Sequence, residues 1–132
     1  MDMSRNDETA ARAEQAREAP EALESPEVLA ASEALEAFKA LANPVRLQIM
    51  RWLRNPDTEF AAYEPIADRD TVGVCVSHIQ AKSGLAQSTV SSYMATLERA
   101  GLVRSTRVGK WTHYRRDEER LRRLSEAVGG LV

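Results

Sequence analysis

Gln87-Ser88-Thr89, with Ser91 and Ser92 close behind, is a run of small polar side chains at helical spacing. Gln can bond an adenine edge through two hydrogen bonds, and Ser and Thr can bond bases or phosphates. Their small size allows close approach to a duplex. Arg104, Arg107 and Lys110 follow within one short stretch. They are cations of the kind that grip a phosphate backbone or an adjacent minor groove. Taken alone, the serines read equally well as solvated surface; the basic stretch directly after them favours contact with nucleic acid.

A second chemistry is available to Cys75 and His78, three residues apart. A soft-metal thiolate site wants two or three sulfurs, and one chain supplies one. His78 and His113 are the only histidines, so the ligand count falls short of a zinc site. No metal and no cofactor are expected. Cys75 reads first as a small buried hydrophobe and His78 as a polar surface residue. The alternatives are a site shared between subunits and redox sensing, which needs an exposed thiol of low pKa. His113 is expected to pair across a hairpin or touch phosphate. Gly-rich phosphate loops, nucleophile elbows and His-rich metal motifs are absent from the sequence, so no catalytic residue is assigned and the chain does not read as an enzyme.

These side chains need elements to hold them. Ser25-Pro26-Glu27 starts a helix, with a Ser cap and Pro at the first helical position. Ala31, Leu35, Phe38 and Leu41 then recur near helical spacing, and the helix ends at Ala42-Asn43. Asn43-Pro44 starts a second helix with Val45, Ile49, Met50 and Leu53 on its inner face, stopped by Asn55-Pro56. Residues 56–72 read as a long acidic loop pinned by Phe60 and Tyr63. Residues 72–76 (VGVCV) suit a short strand leading into a helix capped by Ser77 and ended by Gly84, with Ile79 inside. A further helix runs from about Gln87 to Ala100, with Val90, Met94 and Leu97 as one buried stripe. Helix, short Gly-containing turn and helix form a helix-turn-helix. Leu102–Arg107 and Trp111–Arg116, joined through Val108-Gly109-Lys110, form a β-hairpin wing. A last helix from Asp117 to about Val128 carries Leu121, Leu124 and Val128 on one face and ends at Gly129-Gly130.

The chain has 132 residues, enough for one ordinary domain. The expected fold is mainly α with a small β-hairpin wing: a disordered or frayed acidic tail over residues 1–24, then one domain over residues 25–132. The net charge of −2 hides an asymmetry. Residues 1–27 hold eight acids and three arginines, whereas residues 71–116 hold seven Lys and Arg and one acid. A phosphate backbone meets the local field, so the second segment favours nucleic acid. No apolar run approaches the ~20 residues of a membrane helix, and the acidic N-terminus does not read as a secretory signal. One cysteine cannot close an internal disulfide, which points to the reducing cytoplasm.

FKALANPVRLQIMRWL (38–53) and SGLAQSTVSSYMATLERAGLVRSTRVGKWTHYRR (83–116) together resemble the arsenic-repressor-type (ArsR/SmtB) family of winged-helix regulators. The resemblance covers about Ala37 to Asp117. It implies a homodimer joined through the first and last helices, and a repressor that leaves a double-stranded DNA operator on sensing an inducer. By the family pattern Gln87, Ser88, Thr89, Ser91 and Ser92 map to DNA-contacting positions, as do Arg107 and Lys110. Three positions depart from it. Ala86 replaces the usual capping Ser, Tyr93 stands where His is frequent, and Gln80 stands where a small residue is usual. The family's thiol sensors carry Cys-Val-Cys-Asp where this chain has Cys75-Val76-Ser77-His78, so the sensing site is incomplete and the inducer stays open. A protein-interaction module, working through the acidic tail and loop, is the rival reading from another class.

Overall fold

A computed structural model describes residues 26–131. The expected tail over residues 1–24 lies outside the described residues. The chain divides into two units at Ser32/Glu33, and of the first unit only the opening turns of a helix are described.

The elements run α1 Pro26–Leu41, α2 Pro44–Arg54, α3 Pro56–Glu59, β1 Val74–Cys75, α4 Val76–Ser83, α5 Gln87–Arg99, β2 Val103–Val108, β3 Trp111–Arg116 and α6 Glu118–Leu131. The three strands form one antiparallel sheet in the order β1-β3-β2. The architecture is mostly helical with a small sheet, as the hydrophobic periodicity implied. None of the described helices is long and apolar enough to cross a membrane.

One apolar cluster joins α2, α4, α5 and the sheet: Ile49, Met50, Leu53, Phe60, Val74, Ile79, Val90, Met94, Leu97, Leu102 and Val103 are all buried in it. The helix ends follow local chemistry. Asn43 caps α2, its Oδ1 accepting from the N–H groups of Val45 at 2.9 Å and Arg46 at 3.0 Å. Asp117 does the same for α6, accepting from the Arg120 N–H at 2.9 Å. α4 ends at Gly84, whose φ of 69° is the left-handed conformation that closes the turn toward α5.

Five sequence expectations change. Ser77 does not cap α4: Cys75 occupies the cap position without a side-chain bond, because β1 runs straight into the helix. Residues 56–72 are not all loop. Pro56 opens the helical turn α3, and Arg69 then ties the segment down, donating to the carbonyls of Phe60 at 2.7 Å and Tyr63 at 2.9 Å. α6 continues through Gly129 and Gly130 to Leu131, since glycine inside a helix costs only about 1 kcal/mol and does not forbid it. Of the large side chains of α1, Leu41 packs against the core but Leu35 and Phe38 do not. Ala34, Ala37 and Ala40 are buried, while Leu35 and Phe38 are 56% and 41% exposed. Finally, His113 cannot touch phosphate, because it is fully buried. β1 pairs on the far side of β3, so His113 lies in a central strand, opposite both Cys75 and Thr106.

Gly73, at φ 111°, passes against the backbone of Tyr114, and an added Cβ would collide with the Tyr114 carbonyl. The space around Gly84 is open. Gly84→Ala should therefore cost only the left-handed strain, about 1 kcal/mol, whereas Gly73→Ala should cost about 3 kcal/mol or more by separating β1 from β3. Urea denaturation of the two variants beside the wild type measures the difference.

Candidate nucleic-acid interface

α5 has one face consumed by the core. Val90, Met94 and Leu97 are fully buried, and Tyr93 is half-buried beside them. The opposite face is therefore turned out. Gln87, Ser88, Ser91, Ser92 and Ala95 are exposed, and Thr89 is half-buried at the edge. No side chain caps α5, because Ala86 has none to offer. Its first N–H groups point along the helix axis at the end where a helix favours an anion. The exposed surface is thus a narrow polar ridge with small side chains and a positive tip.

Arg46 steadies this helix from behind. Its Nε donates to the Ala40 carbonyl at 2.6 Å, and its guanidinium lies 5.3 Å from the Tyr93 ring centroid. The side chain so joins the C-terminal end of α1 to α5. In the sequence Arg46 is one of three arginines set among the apolar positions of α2, and nothing local distinguishes it; its role follows from the placement of Tyr93 against it.

The wing places its cations unequally. Arg107 lies near the end of β2 and Lys110 in the Gly109-Lys110 turn at the tip, and both are exposed. Arg107 Nε donates to the Gly109 carbonyl at 3.3 Å, and Lys110 Nζ lies 5.4 Å from the Trp111 ring centroid. Arg104 sits at the base of the wing, where its Nε bonds Asp117 Oδ2 at 2.9 Å. That ion pair raises the pKa of Arg104, through the hydrogen bond first and then the charge of Asp117. Burial pushes the Asp117 carboxyl up, but the Arg120 N–H and the Arg104 guanidinium outweigh it and hold the acid below its usual range.

Cys75 and His78 take different partners. Cys75 is buried, with Sγ 3.0 Å from Ser77 Oγ. His78 stacks instead on Tyr63, the ring centroids 5.0 Å apart and the planes 20° from parallel. Among the described residues no group of three or more His, Cys, Asp or Glu converges to hold a metal. His113, although fully buried, finds no hydrogen-bond partner for either ring nitrogen among the described residues.

Comparison with known proteins places this arrangement. Residues 69–107 match the IclR helix-turn-helix domain family. The HTH-type transcriptional regulator YbzH of Bacillus subtilis (strain 168) is 51% identical over 88 residues, covering 67% of this chain and 87% of that protein. A putative arsenical resistance operon repressor, ArsR2 of Halobacterium salinarum, is 38% identical over 68 residues, or 52% of this chain and 56% of the other. Among solved structures, HlyU from Vibrio cholerae N16961 superposes with a TM-score of 0.53 at 25% identity, over 76% of this chain and 92% of its own. An ArsR-like transcriptional regulator from Rhodococcus sp. RHA1 gives 0.56 at 20% identity, over 76% and 79%. That likeness concerns the fold.

The environment of His78 has a consequence for pH. Burial first, then Arg69 and His113, hold its pKa below the ordinary 6.5. As pH falls the unfolded chain takes up this proton before the folded one, so His78 contributes stability above about pH 6.5 that is lost progressively below it. His78→Phe keeps a ring against Tyr63 and removes the proton. Its stability should therefore decline less between about pH 7 and pH 5 than that of the wild type, as read by thermal melts across the range.

Proposed function

This chain belongs to the ArsR-like winged-helix transcriptional regulators and binds DNA, and from that premise we propose that it is a repressor acting as a homodimer on a two-fold symmetric operator. The observation that carries the reading is the outward face of α5, polar and finely textured, set beside a wing whose tip bears two exposed cations. α5 enters the major groove with its N-terminal end leading. Gln87 and Ser88 reach base edges, Thr89, Ser91 and Ser92 contact bases or the phosphates beside them, and Arg107 and Lys110 hold the backbone. Arg104 belongs to the same surface, but it already shares its charge with Asp117 and so contributes less to counterion release.

The homodimer forms through α1 and α6. Leu35 and Phe38 stand out from α1, and Leu121, Leu124 and Val128 on α6 are only partly covered. An apolar face of this kind gains by meeting its own copy across a two-fold axis. Two reading helices related by that axis enter successive major grooves about 34–36 Å apart. The burial of Cys75 beside the Ser77 hydroxyl supports a structural role for this thiol. The acidic residues 1–24 and the domain 25–132 are proposed as two functional parts, with DNA contact confined to the second.

Two measurements test the reading. In fluorescence anisotropy with a duplex from the DNA upstream of its own gene, Lys110→Ala should weaken binding to all sequences alike and lower the salt slope by about one. Gln87→Ala should cost about 1–3 kcal/mol and relax preference at one base position. If both variants bind as the wild type does, the assigned face is wrong. In sedimentation equilibrium, Phe38→Glu combined with Leu35→Glu should turn a dimer into a folded monomer; a dimer that survives both changes places the seam elsewhere.

A further inference from the structure

We propose that Val108 and Trp111 form an apolar wedge at the wing tip that packs against the deoxyribose edges of duplex DNA, so that Trp111 is a DNA-binding residue in its own right. The inference deepens the function proposed above and rests on it.

The strand register puts Val108 directly opposite Trp111, on the last rung before the Gly109-Lys110 turn. Both are large apolar side chains left in the open, 36% and 37% exposed. Neither belongs to the core cluster, whose members on this hairpin stop at Val103 and Tyr114. Trp111 lies three residues along β3 from Tyr114, so the pair stands about 10 Å beyond that side chain. The fold therefore does not call for a tryptophan here. What surrounds the pair is charge of one sign: Arg107 precedes it, and Lys110 lies over the Trp111 ring at 5.4 Å. Two cations and two apolar side chains thus share one tip.

A partner that satisfies both must be anionic and must also present apolar edges at close range. The sugar-phosphate wall of a duplex does this, with C–H edges of the sugars between phosphates. β2 also begins a few residues after α5, so the tip and the reading helix are presented by one continuous stretch of chain. An anionic lipid surface is the other chemistry that would suit charge and tryptophan together, and the test separates the two.

Apolar contact releases no counterions, which gives the wedge a signature of its own. With the same upstream duplex, Trp111→Ala should weaken binding about tenfold at every salt concentration and leave the salt slope unchanged. Trp111→Phe should retain most of the affinity, whereas Lys110→Ala should lower the slope. The wild-type minus Trp111→Phe emission spectrum isolates Trp111 from Trp52 and should change on adding duplex. That difference spectrum also serves if Trp111→Ala melts below the wild type. Undiminished binding by a folded Trp111→Ala, an unchanged difference spectrum, or a loss that vanishes at high salt would overturn the wedge while leaving the DNA reading intact. A Trp111 signal that responds to phosphatidylglycerol vesicles but not to duplex overturns it in favour of lipid. A wild-type chain that binds no duplex overturns both readings.

Discussion

The architecture depends on one constraint: the stripe Val90, Met94 and Leu97 must leave water. Each of these side chains is fully buried, and burial of such a side chain contributes roughly 1.5–3 kcal/mol. That suffices to fix the rotation of α5 about its own axis. Once the stripe is turned inward, every other residue of the helix is placed by the 3.6-residue period, and the small polar positions have nowhere to go but outward. The outward polar face of α5 is in this sense a by-product of packing. The apolar residues select it, and the polar residues only have to be compatible with it.

A second linkage sets the wing against that helix. β3 is the middle strand, bonded to β1 on one side and β2 on the other. β1 runs without a break into α4, and β2 begins a few residues after α5. Both halves of the helix-turn-helix are therefore fastened to the same strand. Asp117 closes the far end, capping α6 while it holds Arg104 of the wing. The carboxylate in this position joins α6 to β2, one oxygen accepting from the Arg120 N–H and the other from the Arg104 guanidinium.

Much of this was legible in the sequence for identifiable reasons. Asn43-Pro44 and the stripe of α5 are local signals, and local signals survive folding. The wing was readable because its strands are adjacent and its turn short. What escaped was whatever depends on residues far apart. The burial of His113 follows from β1, some forty residues upstream, pairing with β3; a two-residue strand carries almost no periodicity to announce itself. The outward placement of Leu35 and Phe38 reversed the usual expectation that the larger apolar side chain faces the core, because α1 packs closely through Ala34, Ala37 and Ala40. On the candidate site, the positions on α5 were readable from spacing. The engagement of Arg104 by Asp117 was not, since that pairing forms between the base of the wing and the start of the last helix.

Arg46 shows how such a molecule can be stiff where its secondary structure is not. The link from α1 to α2 is only two residues long, and a turn alone would let α1 swing like a door on its frame. The guanidinium latches that door: it grips the last carbonyls of α1 and rests on the aromatic plate of Tyr93. A push on the C-terminal end of α1 is thereby delivered to Tyr93 of α5 by a planar cation as well as through the buried Ala37 and Ala40.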